Sequence, residues 1–209
     1  MRRRNLIRHY SPGDSYDSEV SYLQGNKSQY IDTNIIPNSQ TGIKVSFSVI
    51  GYNDSYMVGC RNDSNDTRWL IGTSLMYVTD SGIYYGYNGF AGTRELGTTI
   101  ASEIFNNRSS IHTAELNYFN SKQFIVDDKY SISLPTLSFT PSYNIRLFGG
   151  AGVSAEYTKW AGRIYSVQIT QGSNVIMNLM PVVKNSIGYM YDKVSRTLLT
   201  NSGGQFSYG

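Results

Sequence analysis

Apolar and polar residues alternate along much of the chain. Between residues 43 and 49 every second residue is apolar, from Ile43 to Val49, and the residues between them are lysine or serine. Residues 165–170 repeat the alternation with Tyr165 as the first apolar position. A period of two places one side of a β-strand against a core and the other side toward solvent. These segments are therefore predicted to be strands of a half-buried sheet.

Short turn signals separate the predicted strands. Asp127 and Asp128 lie between residues 124–126 and 129–132, which predicts a tight hairpin. About a dozen such segments follow one another with a turn every ~8–12 residues, the spacing of a sandwich or barrel. Helical periodicity is not evident in any long window. The pattern predicts an all-β fold built as a two-sheet antiparallel sandwich.

Composition supports one β domain that needs no covalent staple. Aromatic residues make up 13% of the 209 residues and charged residues 16%, so the chain is poor in the residues that favour long surface helices. Cys60 is the single cysteine, which excludes an intramolecular disulfide. We predict that Cys60 is a small buried apolar residue rather than a nucleophile.

Positive charge is concentrated at the amino terminus. Residues 1–8 contain four arginines and no acid, while the whole chain has a net charge of only +3. The rest of the chain is therefore close to neutral, which gives no support for a nucleic-acid groove on the domain. We predict a basic, irregular arm over residues 1–18, carrying Arg2, Arg3, Arg4 and Arg8, and a single domain over residues 19–209.

The amino-terminal residues do not resemble an export signal. Only Leu6 and Ile7 are apolar after the first arginines, whereas a signal peptide has an apolar stretch of about 7–15 residues. No stretch of the sequence approaches the ~20 apolar residues of a membrane span. We therefore expect synthesis in a cytosol, with no export unless another machinery provides it, and no membrane insertion.

The pattern of acidic residues and histidines argues against catalysis. Glycosidases need two carboxyl groups facing one sugar, and the glutamates here are isolated from one another. Asp127 and Asp128 would either face opposite ways in a strand or be solvated in a turn. His9 and His112 are the only histidines, and neither has a second ligand at metal-binding spacing. We expect no enzyme activity, no cofactor and no zinc, with His112 a satisfied or half-exposed strand residue.

Calcium is the one ion that the sequence leaves open. Residues 62–67 read NDSNDT, so Asp63 and Asp66 are oxygen ligands within one short loop. The loop lacks the glycine and distal glutamate of an EF-hand. An Asx-rich turn without an ion is the favoured interpretation, because Asn and Asp stabilise turns by themselves.

Aromatic residues and arginines are the main binding signal. Aromatic rings stack on sugars and anchor interfaces, while strand alternation would instead send about half of them into the core. Both interpretations remain open for this set, which forms the predicted binding residues: Tyr52, Tyr56, Arg61, Arg68, Tyr84, Tyr85 and Tyr87.

Both ends of the domain resemble a known family. Residues 22–33 read YLQGNKSQYIDT, which resembles the opening of concanavalin A-like, laminin-G-like jelly-roll domains. Residues 160–167 read WAGRIYSV and residues 179–182 read LMPV, similar to two closing strands of that family. Residues 188–195, GYMYDKVS, and 201–209, NSGGQFSYG, resemble its last segments. The resemblance implies a jelly roll whose first and last segments lie side by side.

Domains of this family are common in phage proteins and on Bacteroidetes cell surfaces. The resemblance, together with the arginine arm, leads us to expect a non-catalytic bacteriophage virion protein, either a capsid decoration or a head or tail fibre. The arm would dock into another virion protein, an interpretation favoured over a functionless arm or one that binds nucleic acid or lipid. The domain would stand at the virion surface as a dimer or trimer and either bind host-surface glycan or only decorate the particle.

Two alternatives come from other functional classes. A bacterial lectin or adhesin would use the same fold as a free carbohydrate-binding module, but it would need an export route that the sequence does not show. A glycoside hydrolase would need the carboxylate pair that the sequence lacks.

Overall fold

Two antiparallel sheets pack against each other in the computed structural model, and the fold is compatible with a jelly roll. The predicted all-β class is confirmed. The structure describes residues 16–50, 54–62, 67–74, 82–87, 90–92, 106–117, 119–134, 141–152 and 160–209.

The strands are short at the chain ends and long in the centre of the sandwich. In chain order they are β1 (Ser18–Glu19), β2 (Leu23–Asn26), β3 (Tyr30–Asp32), β4 (Thr41–Val49), β5 (Asp54–Asn62), β6 (Thr67–Ser74), β7 (Gly82–Tyr87), β8 (Phe90–Gly92), β9 (His112–Asn117), β10 (Gln123–Val126), β11 (Tyr130–Ser133), β12 (Arg146–Leu147), β13 (Ala161–Gln171), β14 (Asn174–Lys184), β15 (Ile187–Asp192), β16 (Thr197–Leu198), β17 (Asn201–Ser202) and β18 (Ser207–Tyr208).

The larger sheet, sheet A, is centred on β4 and β13. Its strands follow the order β11-β10-β9-β4-β13-β14-β15-β16, with β2 also beside β13, β18 beside β2 and β1 beside β14. Sheet B has the order β17-β3-β12-β5-β6-β7-β8. In the centre of sheet A, Val45 lies opposite Val167 and Ile43 opposite Ile169, and all four side chains are buried. The alternation seen in the sequence therefore sets the register, because a slip of one residue would turn these side chains to solvent.

A buried tryptophan ties the two sheets together. Trp160, just before β13, has no exposed surface, and its Nε1 donates a hydrogen bond to Thr73 Oγ1 of β6 over 2.8 Å. Its ring lies over Gly162, where a Cβ atom would come within 2.1 Å of the indole. Only glycine leaves room for the ring at this position.

The hairpin predicted around Asp127 and Asp128 is present. Val126 of β10 pairs with Tyr130 of β11, and Lys129 N donates to Val126 O over 3.1 Å. Asp127 and Asp128 have φ values of 53° and 51°, the left-handed conformation that tight hairpin turns require and that aspartate tolerates.

The first and last described segments lie side by side, as the family resemblance implies. Strand β18 pairs with β2, and the backbone N–H groups of Ser21 and Tyr22 both donate to Gly209 O. Among the described residues, the first backbone group that bonds to β14 is the N–H of Asp17, which donates to Val183 O over 2.7 Å. Ser18, the last residue of the predicted arm, is part of β1.

Candidate functional site

The predicted aromatic and arginine residues fall on three neighbouring strands of sheet B. Tyr56 and Arg61 lie on β5, Arg68 lies on β6, and the three remaining tyrosines of the set with a described backbone lie on β7. Tyr52 and the calcium candidates Asp63 and Asp66 lie outside the described residues. For Tyr84 and Tyr87 the structure gives the strand but not the side chain, so their binding role stays a prediction.

Two tyrosines of the set are buried, which is the core alternative that the sequence left open for these residues. Tyr85 is 2% exposed, and its ring centroid lies 5.0 Å from that of Phe124 in the core. Strand register places it opposite Ile71, so alternation turns it inward. Tyr56 is 4% exposed and packs against Gly150, where a Cβ would meet the ring at 2.7 Å. Neither ring face is available to a sugar.

The structure does bring Tyr56, Arg61 and Arg68 together. Arg61 Nη1 donates to Tyr56 Oη over 2.9 Å, and Arg61 lies directly opposite Arg68 in the ladder between β5 and β6. Both arginines are half-buried and alternate with the buried residues Cys60 and Trp69. Tyr56 therefore orients Arg61 rather than offering a stacking surface.

A second cluster, which sequence reasoning did not find, lines a cleft at the rim of the sandwich. This rim cleft has a volume of about 350 Å³ and lies where the chain crosses from β16 in sheet A to β17 in sheet B. It is lined by Asp32, Thr33, Asn34, Met177, Ser195, Thr197, Leu198, Leu199, Thr200 and Ser202.

The rim cleft combines hydroxyl, amide and carboxylate groups with apolar side chains. Met177, Leu198 and Leu199 supply the apolar part. Some of its polar groups are already committed, since Thr33 Oγ1 donates to Ile145 O over 2.8 Å and Ser195 Oγ lies 2.7 Å from Thr197 Oγ1. Sites for small polar ligands have this composition, an apolar surface with a few placed polar groups.

Asp192 fixes the turn that forms one wall of the cleft. It is 1% exposed and accepts hydrogen bonds from the N–H groups of Asn178, Val194 and Ser195 and from Ser195 Oγ. Burial acts to raise the pKa of Asp192, but these hydrogen bonds to the charged form outweigh it and hold the pKa below its usual value. Asp192 therefore positions Ser195 without itself lining the cleft.

An arginine, a tyrosine and an aspartate adjoin the cleft on the outside of sheet B. Arg146 lies opposite Asp32 in the ladder between β12 and β3, and its Nε is 3.7 Å from Asp32 Oδ2. The Arg146 guanidinium carbon lies 4.3 Å from the centroid of the Tyr30 ring. Ile31 and Leu147 between them are fully buried, so these three side chains face outward. The alternation in YID at residues 30–32 was the sequence signal that could have identified these outward-facing residues. The family resemblance led us to interpret this segment only as evidence of the fold.

A shallower groove lies on the outer face of sheet A. It has a volume of about 210 Å³ and includes Lys44, Gln168 and Asn178 among its lining residues. Lys44 Nζ is already paired with Asp128 at 3.1 Å and with Glu115 at 3.7 Å. Its only lining charge is thus neutralised by neighbours, which leaves the rim cleft as the better candidate for a ligand.

His112 is a satisfied buried residue, as expected, but one of its partners was not foreseen. Its Nδ1 lies 2.9 Å from Asp127 Oδ2 and its Nε2 lies 3.2 Å from Asn107 O. Asp127 Oδ1 also accepts the N–H of Thr113 over 2.7 Å. The expectation that both hairpin carboxylates are solvated is therefore wrong for Asp127, because the hairpin folds it back over β9.

The described residues show neither a metal cluster nor a membrane-crossing helix. No three histidine, cysteine, aspartate or glutamate side chains among them lie close enough to hold a metal ion. In the same part of the chain, no helix has the length and apolar character needed to cross a membrane.

Cys60 is buried in the core, as predicted, and we expect it to resist thiol reagents in the folded protein. It has no exposed surface, and desolvation by burial raises the pKa of the thiol to about 12. Since the thiolate is the reactive form, native protein should remain unmodified by iodoacetamide at pH 8, whereas urea-unfolded protein should be labelled once. Mass spectrometry of both samples measures this. Labelling of the native protein at the unfolded rate would contradict the burial of Cys60.

The described residues form an all-β sandwich with a cleft at its rim and a groove on the outer face of sheet A. A scan against protein-family models and a search of curated proteins gave no match for the chain.

Proposed function

We propose that this protein is a non-catalytic bacteriophage virion protein, a capsid decoration or a head or tail fibre, that displays a concanavalin A-like, laminin-G-like jelly roll. The basic arm anchors it to another virion protein, and the displayed domain binds host-surface glycan. The resemblance of both chain ends to that family and the concentration of arginines in residues 1–8 support the virion context.

The observation that carries the anchoring proposal is the joint between the arm and the sandwich. Asp17 N donates to Val183 O, and Asp17 Oδ2 accepts the N–H of Asn185 over 2.6 Å. The ring of Tyr16 lies edge-on to Tyr191, with centroids 4.8 Å apart. An arm bound to a particle would therefore hold sheet A directly, because the chain is already fixed to β14 where the sandwich begins.

The rim cleft supports glycan binding without hydrolysis. Its hydroxyl and amide groups can exchange hydrogen bonds with sugar hydroxyls, and its apolar side chains can pack against the C–H face of a sugar ring. Asp32 is the one carboxylate among the lining residues. Glycoside hydrolysis requires two carboxyl groups facing the same bond, so the cleft is better suited to recognition.

Analysis of purified virions tests the anchoring proposal. Mass spectrometry of gradient-purified particles should detect the full chain, and we expect a homo-oligomer, a dimer or trimer, repeated on a symmetric lattice. A full-length variant in which Arg2, Arg3, Arg4 and Arg8 are replaced by Gln should fold normally but be lost from the particles, because docking into an acidic groove needs these charges.

The outcomes separate the proposal from its main alternative. Intact virions that lack the polypeptide would overturn the virion assignment. Glycan binding by the full chain without particle association would instead favour a bacterial lectin or adhesin.

A further inference from the structure

We infer that Asp32 and Arg146, supported by Tyr30, bind a pair of adjacent hydroxyl groups on a neutral saccharide that lies against the outer face of sheet B at the edge of the rim cleft. This inference rests on the glycan binding proposed above and adds to it the site, the recognising atoms and the class of ligand.

The Asp32 carboxylate, a hydrogen-bond acceptor, lies beside the donors of the Arg146 guanidinium. Asp32 Oδ1 accepts the N–H of Asn34 over 2.9 Å, which fixes the carboxylate and leaves Oδ2 toward Arg146. The 3.7 Å between Oδ2 and Arg146 Nε is too long for a hydrogen bond. One sugar hydroxyl can therefore donate to Asp32 Oδ2 while its neighbour accepts from the Arg146 guanidinium.

The Arg146 guanidinium has N–H donors that are available to a ligand, and its position is fixed. Its Nε is buried and has no hydrogen-bond partner among the described residues. Because the buried Nε is closed to a ligand while the Arg146 side chain is 29% exposed, a ligand oxygen would accept from the terminal nitrogens of the guanidinium. The Tyr30 ring, 4.3 Å from the guanidinium carbon, holds the guanidinium in position through a cation–π contact.

The pair also bears on the charge of the ligand. Asp32 and Arg146 carry opposite charges 3.7 Å apart, so the pair offers no net attraction to a charged ligand. A ligand carboxylate placed here would meet the negative charge of Asp32, and like charges in close contact disfavour binding. The site therefore favours neutral sugars over uronic or sialic acids.

The remaining walls fit a short saccharide. Thr200 and Ser202 add hydroxyl groups beside Asp32, and Leu198 and Leu199 provide an apolar surface. Ser202 lies opposite Tyr30 in the ladder between β17 and β3, which places it on the same outward face. The volume of about 350 Å³ is at the lower end of the ~300–1,000 Å³ typical of small-ligand sites.

The test uses the full chain and defined sugars. Gluco-, galacto- and manno-configured neutral oligosaccharides and their uronic-acid and sialylated counterparts are first compared on an array. The best neutral binder is then titrated by calorimetry, before and after periodate cleavage of its adjacent hydroxyl pairs. We expect neutral glycans to be preferred and periodate treatment to abolish binding.

Two variants and one matched control locate the site. Asp32→Asn keeps one oxygen that can accept from Asn34 N but removes the negative charge and the second acceptor oxygen. Arg146→Gln removes the guanidinium. Each should weaken binding at least about tenfold, as the loss of a charge-assisted hydrogen bond predicts. Arg163→Gln is the control, because Arg163 also lies 4.3 Å from a tyrosine ring, that of Tyr22, on sheet A. Its Nε already donates to Gln24 Oε1, and this variant should bind within about twofold of the unchanged protein.

Each result bears on a different statement. Glycan binding that survives in folded Asp32→Asn and Arg146→Gln proteins overturns this inference and leaves the proposed glycan binding in place. A preference for acidic glycans, or undiminished binding after periodate treatment, overturns the inference that the site binds adjacent hydroxyl groups of a neutral saccharide. If the unchanged protein binds none of the sugars, the glycan-binding part of the proposed function fails and the inference fails with it. Thermal unfolding of each variant confirms that it is folded.

Discussion

Replacing Trp160 with alanine is expected to lower the free energy of unfolding by about 4 kcal/mol, the typical cost of removing a fully buried tryptophan. The indole has no exposed surface and packs near Phe47 and Phe148, with ring centroids 6.3 and 6.1 Å away. Its loss would leave a cavity between the sheets and would leave the buried Thr73 Oγ1 without the N–H donor that it now has. Urea unfolding followed by circular dichroism measures the change.

A pair of milder variants separates the hydrogen bond from the packing. Trp160→Phe removes the bond to Thr73, whereas Trp69→Phe removes an indole N–H that has no partner among the described residues. Trp160→Phe should therefore be the more destabilising of the two by about 1 kcal/mol. Equal losses in the two variants would mean that the bond between the sheets contributes nothing to stability.

Asp192→Asn is expected to cost about 2–3 kcal/mol at pH 7, because the charged carboxylate accepts four hydrogen bonds in a buried turn. The pKa of Asp192 is lowered in the folded state, so its contribution is complete above the unfolded pKa of about 4. As the pH falls through the lowered folded pKa, the carboxylate is protonated and the contribution is lost. The difference in stability between the two proteins should therefore shrink between pH 5 and pH 2.

Unfolding midpoints in urea across this pH range measure the effect, and Asp128→Asn provides the control. The Asp128 side chain is 72% exposed and pairs with Lys44, so its replacement should cost less than about 1 kcal/mol at any pH. Asparagine also tolerates the left-handed backbone at this position. A pH-independent penalty for Asp192→Asn would show that the turn needs the shape of the side chain and not its charge.

The period-two pattern was enough to predict the class of fold. Val45 and Val167, both predicted to face inward, meet as a cross-strand pair in the centre of sheet A. The hairpin at Asp127 and Asp128 was also predictable, because its turn chemistry is local. Such features depend on the covalent spacing of side chains along a strand, which the sequence states directly.

It was harder to predict which of the candidate binding residues are exposed, because burial depends on what covers a strand. Tyr85 and Arg68 come from the same aromatic and arginine-rich region, yet the first packs on Phe124 in the core while the second is half-buried on the outer side of sheet B. Asp127 seemed to be an ordinary turn residue, but the hairpin brings it to His112, which precedes it by fifteen positions. Local sequence carries no signal for these partners.

The sequence by itself determined the all-β class, the inward-facing positions of the central strands and the burial of Cys60, and the family resemblance implied the adjacency of the first and last segments of the domain. Only the tertiary structure decided that Asp32, Arg146 and Ser202, which are far apart along the chain, share one outward face beside the rim cleft. The physical reason is that alternation fixes on which side of a strand a residue lies, whereas the order of strands in a sheet fixes its neighbours. The proposed site is built from three strands, so its composition depends on strand order.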